Sequence, residues 1–263
     1  MKNNTIKAIF VDIDWTILDH ANNHTYDKDS LLALCEAQKR GVKVFYCTAR
    51  PLYSLSQIGA FDILKPDGVV SANGGVVTID GKTIYKEYMP LDVFERACEV
   101  ATKYDYNMLC AEVEDCFLLK EKDKYFEQYI TVYYEPIPRV DDYKGKEVIS
   151  IILFAPEEMD ETFKKELPSG LNYYRYHEAA VELVDRYHQK GTGVKEVLKY
   201  YGLNKENAMS FGDDYGDIDM FNECAIGVAM GNGKNEVKNA ATYVTKEVWN
   251  SGVKEALIKY KVI

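Results

Sequence analysis

The chain has 263 residues and a mass of 30.0 kDa, which allows one large domain or two modest ones. An apolar fraction of 47% and a charged fraction of 28% are ordinary for globular proteins and exclude wholesale disorder. The net charge of −10 makes nonspecific binding to nucleic acid, or to an anionic membrane surface, a poor prospect.

No stretch of the sequence has the character of a membrane anchor. The longest apolar run, residues 148–155, is far shorter than the ~20 residues of a transmembrane helix. The apolar run near the N-terminus is too short for a signal peptide. The 6 cysteines are scattered, with no C-x-x-C pair, and most fit small buried side chains. We therefore expect a cytoplasmic protein with no membrane partner.

Short apolar strands alternate with helices at both ends of the chain. A helix capped by Asp27 should end at Gly41, and another should begin near Gly193 and end at Gly202. Strands without polar alternation, separated by helices, indicate a parallel sheet covered on both faces. The sequence thus predicts an α/β fold with a Rossmann-like, doubly wound core, whose clearest strands are 6–11, 42–47, 69–72, 208–211 and 225–228.

The middle of the chain has a different pattern. Hairpin signals at Asp80-Gly81 and near His177-Glu178 indicate antiparallel pairs of strands, and helices lie between the strands in the sequence. We predict an inserted α+β domain at residues 82–186. The core is then discontinuous, with residues 1–81 and 187–263.

Polar residues follow four of the predicted core strands. In open parallel sheets, ligands bind beyond the carboxyl ends of the strands, where the strand order switches. We therefore expect these clusters to converge on one site. They are Asp12-Ile13-Asp14, Thr48-Ala49-Arg50, Asn73-Gly74-Gly75 and the segment from Gly212 through Asp213 and Gly216 to Asp217.

The residue types at these strand ends suit phosphate and a hard cation. Crowded carboxylates repel one another unless a cation is present, and Mg²⁺ prefers oxygen ligands and often bridges to substrate phosphate. Thr48 offers a hydroxyl and Lys190 a point charge for a phosphate. Taken singly, each residue is better explained as a helix cap, a turn former, the end of a strand or a solvated side chain. Their occurrence in order at successive strand ends indicates a site.

These motifs carry a family resemblance. Asp12-x-Asp14-x-Thr16, then Thr48, Lys190 and the Gly212-Asp213-x-x-x-Asp217 segment resemble the four motifs of the haloacid dehalogenase superfamily of phosphohydrolases. The insertion between the second and third motifs is similar to the type IIB cap of the Cof-type subgroup. The resemblance spans nearly the whole chain.

The resemblance implies a two-step phosphoryl transfer. Asp12 is the implied nucleophile and Asp14 the general acid and base. Mg²⁺ is held by Asp12, the Asp14 carbonyl and Asp213, with support from Asp217. The implied phosphate ligands are Thr48, Lys190 and the backbone amides of Ile13 and Ala49. The inserted domain is expected to close over the site and select the leaving group.

Two positions depart from the family pattern. Trp15 stands where the family usually has Gly, so the turn must accept a β-carbon. We expect its ring to pack beneath the loop; a place at the substrate entrance is the alternative. Gly216 replaces the usual Asn of motif four, which removes a side-chain contact to phosphate or substrate.

Some polar residues near the motifs have alternative roles. Asn73 is a possible substrate contact. Arg50 either pairs with an anionic or polyol substrate or braces its loop. We expect His20, His24 and His188 to be exposed loop residues rather than substrate contacts.

Three functions fit this sequence. The first is a Mg²⁺-dependent phosphatase acting on a small phosphorylated metabolite, most plausibly a sugar phosphate. The second is a phosphomutase or other phosphotransferase of the same superfamily, which passes the phosphoryl group to a second hydroxyl. The third is a non-catalytic ligand-binding module on this scaffold, which retention of the motif carboxylates and Lys190 argues against.

Overall fold

The computed structural model describes residues 5–133, 137–185 and 189–263. The strands are β1 (Ala8–Val11), β2 (Leu18–Asp19), β3 (Thr25–Tyr26), β4 (Lys43–Cys47), β5 (Gly68–Ser71), β6 (Val76–Ile79), β7 (Lys82–Lys86), β8 (Asn107–Ala111), β9 (Cys116–Leu118), β10 (Arg139–Val140), β11 (Ser150–Phe154), β12 (Leu171–His177), β13 (Ala180–Asp185), β14 (Ala208–Gly212), β15 (Ile226–Ala229) and β16 (Tyr243–Val244). The helices are α1 (Lys28–Lys39), α2 (Leu52–Gln57), α3 (Leu91–Lys103), α4 (Lys124–Tyr133), α5 (Asp160–Glu166), α6 (Lys190–Tyr200), α7 (Ile218–Asn222), α8 (Asn235–Ala240) and α9 (Gly252–Lys259). In the described ranges, no helix is long and apolar enough to cross a membrane.

The chain divides into two compact units. The first contains Met1–Arg50, Gly59–Lys86 and Gln189–Ile263, and the second contains Pro51–Ile58 and Glu87–His188. Strand β7 pairs with β6 and so belongs to the first unit, although the sequence prediction assigns it to the insertion. Helix α2 belongs to the second unit because Tyr53 packs against the apolar cluster there.

The first unit is built on a mixed sheet with the strand order β16-β15-β14-β1-β4-β5-β6-β7. Strand β1 pairs in parallel with β14 on one side and with β4 on the other. The switch in strand order therefore lies at β1, and the segments that follow these three strands share one edge of the sheet. The predicted Rossmann-like α/β fold is confirmed.

Burial explains why the sequence revealed the core strands. All residues of β1 are fully buried, as expected for a strand covered on both faces. Helix α1 begins as predicted, with the Asp27 side chain accepting a hydrogen bond from the Ser30 amide at 3.3 Å. Gly41, with φ of 87°, takes the left-handed backbone that ends such a helix.

The predicted start of α6 near Gly193 is wrong, since the helix begins at Lys190. The glycines of this segment serve close packing and not a turn before the helix. A β-carbon at Gly193 would lie 2.2 Å from Val70 Cγ1, and one at Gly191 would lie 2.8 Å from the Asp219 carbonyl oxygen. This close approach fixes Lys190 at the helix start.

The second unit has its own sheet and core. Its strand order is β10-β9-β8-β11-β13-β12, with antiparallel pairing except between β9 and β10. The predicted turn near His177-Glu178 joins β12 and β13. Buried Phe94, Phe117 and Phe163 belong to the apolar cluster of this unit.

Candidate active site

A buried lysine joins two of the predicted site carboxylates. Asp12 follows β1 and is 5% exposed, and Lys190 at the start of α6 is equally buried. The Lys190 Nζ donates to Asp12 Oδ1 at 2.7 Å and to Asp217 Oδ1 at 2.6 Å. Residues far apart in the sequence thus form one hydrogen-bonded charge cluster.

Asp217 organises the turn that follows β14. Its second oxygen, Oδ2, accepts hydrogen bonds from the amides of Asp213 and Asp214 at 2.8 and 3.0 Å. A β-carbon at Gly212 would lie 2.2 Å from the Asp217 carboxyl carbon, so the glycine makes this approach possible. Because one oxygen binds Lys190 and the other binds two backbone amides, Asp217 is suited to hold Lys190 and the turn in place.

Asp213 completes a group of carboxylates that could hold a metal ion. Ligand atoms of Asp12, Asp213 and Asp217 all lie within 4.8 Å of one another. The Thr16 hydroxyl donates to Asp213 Oδ1 at 3.2 Å and so orients that carboxylate. Oxygen donors at this spacing suit a hard divalent cation.

Burial and mutual repulsion dominate the electrostatics of this group. Burial raises the pKa of Asp12 to about 8; the Lys190 charge opposes that shift, and the charges of Asp217 and Asp14 add to it. Burial, followed by the charges of Asp12 and Asp217, also raises the pKa of Asp213 well above its usual value. One ammonium therefore does not balance three carboxylates, and the cluster lacks positive charge.

Asp14 has the opposite surroundings, although it lies two residues from Asp12. The Arg50 guanidinium donates to both of its oxygens, with Nε to Oδ2 and Nη2 to Oδ1 each at 2.8 Å. Burial disfavours the ionised form, but the Arg50 charge and the His20 hydrogen bond outweigh it. They hold the pKa of Asp14 well below its usual range.

Thr48 and its neighbours lie at the end of β4, beside the end of β1. Thr48 is fully buried, and its hydroxyl accepts a hydrogen bond from the Arg50 amide at 3.1 Å, which leaves its own proton to donate. The Thr48 carbonyl accepts from the Asn73 amide at 3.2 Å, and the Arg50 carbonyl accepts from the Ala72 amide at 2.9 Å. These bonds tie the segments after β4 and β5 together.

Comparison with known proteins places this arrangement in a family. The sequence profile of the haloacid dehalogenase-like hydrolases matches residues 9–257. The chain belongs to this family. It is of the Cof type, as the motifs and the insertion predict.

Several similar proteins are named as phosphatases. The 5-amino-6-(5-phospho-D-ribitylamino)uracil phosphatase YitU of Bacillus subtilis (strain 168) is 25% identical, over 96% of each chain. Among solved structures, BT1666 of Bacteroides thetaiotaomicron is 30% identical with a TM-score of 0.86, over 100% of this chain and 97% of its own. The subclass IIB sugar phosphatase BT4131 is 26% identical with a TM-score of 0.85, over 98% of this chain and 100% of its own. This haloacid dehalogenase-like hydrolase is a phosphatase.

The expectation of an exposed His20 is wrong. Its side chain is 7% exposed, and its Nε2 lies 2.6 Å from Asp14 Oδ1. His24 is half-buried, with Nδ1 2.7 Å from the His20 Nδ1. His188 lies outside the described residues. The Arg50 guanidinium is bound to Asp14, as bracing requires, and a contact with substrate stays a prediction.

The expected packing of Trp15 beneath the loop is also wrong. The residue is 38% exposed, and its ring centroid lies 5.3 Å from that of His20. Its φ of 59° is in the left-handed region, where the haloacid dehalogenase-like pattern has Gly. A β-carbon there costs about 1–2 kcal/mol, so the turn accommodates Trp at some strain.

Gly216 and Asn73 lie close together. A β-carbon at Gly216 would have Asn73 Oδ1 as its nearest neighbour, at 3.9 Å, so the position has room for a side chain. Asn73 has φ of 52°, which Asn adopts more readily than most residues. The space around Gly216 would therefore accept the Asn that the family usually has at this position.

Two supporting residues were missed by sequence reasoning. Asp219 Oδ2 accepts from the Gly191 amide at 2.8 Å and so steadies the start of α6 next to Lys190. The Asn232 side chain donates to the Trp15 carbonyl at 2.8 Å and accepts from the Val248 amide at 2.9 Å. The only signals in the sequence were an acid two residues after Asp217 and an Asn between two glycines, and neither pattern is specific.

Proposed function

We propose that this phosphatase is Mg²⁺-dependent and hydrolyses a small phosphorylated metabolite, a sugar phosphate, through an aspartyl-phosphate on Asp12. The observation that carries the proposal is the buried Asp12 carboxylate at the end of β1. It is held at 2.7 Å by Lys190 within a group of three carboxylates.

The residues of the site fit a magnesium ion. The group offers hard oxygen donors, and burial together with the neighbouring carboxylates raises the pKa of Asp12 and of Asp213, which a bound cation would oppose. Asp12, Asp213 and the Asp14 carbonyl would hold the ion, with Asp217 fixing the turn. A bound ion would supply charge neutralisation for the phosphoryl group and keep Asp12 ionised.

In the first step, an Asp12 oxygen attacks phosphorus and the bond between phosphorus and the ester oxygen breaks. Asp14 gives a proton to the departing alkoxide, so that an alcohol leaves. Lys190, the Thr48 hydroxyl and the amides of Ile13 and Ala49 hold the phosphoryl oxygens. Such positioning and charge stabilisation are the main requirements of phosphoryl transfer.

In the second step, water hydrolyses the phosphorylated Asp12. The water oxygen attacks phosphorus, Asp14 accepts a proton from the water, and the bond from phosphorus to Asp12 breaks to release inorganic phosphate. Arg50 and His20 hold the pKa of Asp14 well below its usual range, so the carboxylate is ionised before water attacks, but the same low pKa makes it a weak base. To act as an acid in the first step, Asp14 must first gain a proton against the influence of Arg50.

The substrate class is inferred from relatives and from the chemistry of the reaction. BT4131 is named a sugar phosphatase, and the name of YitU describes a substrate phosphorylated on a ribityl chain. In both cases the leaving group is a polyol alcohol. Such a group leaves poorly without a proton donor, which gives Asp14 its place in the first step.

Hydrolysis of p-nitrophenyl phosphate tests the reaction, with Mg²⁺ and with EDTA, for wild type and Asp12→Asn. We expect activity that needs the metal and disappears in the variant. A panel of sugar phosphates and non-sugar phosphate esters then tests the substrate class. Full activity in Asp12→Asn would exclude Asp12 as the nucleophile, and a preference for non-sugar esters would exclude the substrate class.

A further inference from the structure

A histidine in the segment between β2 and β3 contacts Asp14. His20 follows Asp19, and its Nε2 lies 2.6 Å from Asp14 Oδ1. Because a carboxylate only accepts, the Nε2 carries the proton of this hydrogen bond. The Nδ1 atoms of His20 and His24 lie 2.7 Å apart, within hydrogen-bond distance. His24, His20 and Asp14 thus form a chain of two side-chain hydrogen bonds.

The His20 ring is also held by packing. The Trp15 ring centroid lies 5.3 Å away, and the His24 ring meets it edge-on at 4.8 Å. With a side chain only 7% exposed, the imidazole has little freedom to turn away from Asp14. Trp15, His20 and His24 therefore form one packed aromatic group next to Asp14.

We propose that His20 is a positioning residue that orients Asp14 for the hydrolysis of phosphorylated Asp12. This inference rests on the proposed function. Arg50 binds the two carboxylate oxygens from one direction, and His20 adds a donor to Oδ1 from another element. Without His20 the carboxylate can pivot about the Arg50 contact. A base that pivots is less often within hydrogen-bond reach of the attacking water.

The two steps of the reaction separate this role from general damage. With p-nitrophenyl phosphate the leaving group needs no proton, so kcat/KM reports transfer of the phosphoryl group to Asp12. The turnover number kcat also includes the water step, which needs Asp14. Loss of orientation should therefore lower kcat and leave kcat/KM nearly unchanged.

The test compares His20→Met with His20→Gln. The two side chains have similar length, but only Gln can donate a hydrogen bond near the position of Nε2. For His20→Met we expect kcat to fall roughly tenfold and kcat/KM to change less than about twofold. A larger burst of p-nitrophenolate and more acid-trapped phosphoenzyme should appear. His20→Gln should recover most of kcat.

Further variants and outcomes make the test decisive. His20→Ala is a second variant without a donor, in case His20→Met does not fold. Asn22→Ala is a control at an exposed residue of the same loop. Equal losses in kcat and kcat/KM, an unchanged kcat, or a Gln variant as slow as Met would each overturn the positioning role. Failure of the proposed function is a separate result: wild type is then inactive with Mg²⁺, or Asp12→Asn stays active.

Discussion

Replacing Asp12 by Asn should make the metal-free protein less sensitive to pH. The pKa of Asp12 rises from 3.8 to about 8 on folding, so between these values the folded state binds a proton that the unfolded state has released. Stability therefore falls as pH rises through this window. Asn carries no such proton and keeps an oxygen that can accept from Lys190.

The size of the effect follows from the shift. At about 1.4 kcal/mol per pKa unit, the Asp12 contribution to the free energy of unfolding declines by roughly 4 kcal/mol between pH 4 and pH 7. Asp12 is 5% exposed, so solvent screening reduces this little. Asp12→Asn avoids this loss of stability at neutral pH. It also gives up a charge-assisted hydrogen bond to Lys190, which offsets about 1–2 kcal/mol of the difference.

Urea unfolding in EDTA, followed by circular dichroism at several pH values from 4.5 to 8, measures the effect as the difference between wild type and Asp12→Asn. As pH rises, we expect the free energy of unfolding of the variant to increase relative to that of wild type. Mg²⁺ should flatten the wild-type curve because a bound cation favours the ionised carboxylate. Asp80→Asn, at an exposed turn where Asn accepts the left-handed φ of 49°, is the matched control. Parallel curves for wild type and Asp12→Asn in EDTA would show that Lys190 outweighs burial and would refute the reasoning.

Three other changes test separate parts of the site. Lys190→Met should lower the free energy of unfolding in EDTA by about 3–5 kcal/mol, since it leaves two buried carboxylates without their cation; a urea midpoint equal to wild type would contradict this. Asp14→Asn should lower kcat for p-nitrophenyl phosphate by roughly 100-fold or more, because water attack still needs a base; unchanged turnover would remove Asp14 from the mechanism. Gly216→Asn should fold normally, with a thermal midpoint within a few degrees of wild type, because the nearest atom to its β-carbon is 3.9 Å away; a large drop in the midpoint would show hidden crowding.

The sequence was informative where the local pattern and the tertiary structure agree. Strand β1 could be predicted because every residue in it is buried, and a strand buried on both faces is continuously apolar. The grouping of Asp12, Thr48 and Asp213 followed from parallel pairing, which brings the ends of neighbouring strands to one edge. Neither prediction needed side-chain geometry.

Where contacts depend on the course of a loop, the sequence was not enough. Two histidines four residues apart are compatible with an exposed loop. The pairing of β2 with β3 instead places His20 beside Asp14. The start of α6 was misplaced because glycines usually mark turns, whereas Gly193 is required here by the approach of Val70. In the first case the course of a short hairpin decides the contact, and in the second a residue distant in sequence, Val70, does so.

The opposite surroundings of Asp12 and Asp14 bear on the separate roles proposed for them. The two carboxylates are two residues apart, and their pKa values move in opposite directions because burial dominates at one and Arg50 with His20 at the other. The metal-free protein therefore favours a protonated Asp12 and an ionised Asp14. Arg50 and His20 keep Asp14 ionised, as the proposed base must be before it accepts a proton from water. In the proposed mechanism Asp12 must be ionised to attack phosphorus, so a cation bound to Asp12 and Asp213 would control the nucleophile without changing the charge of the base.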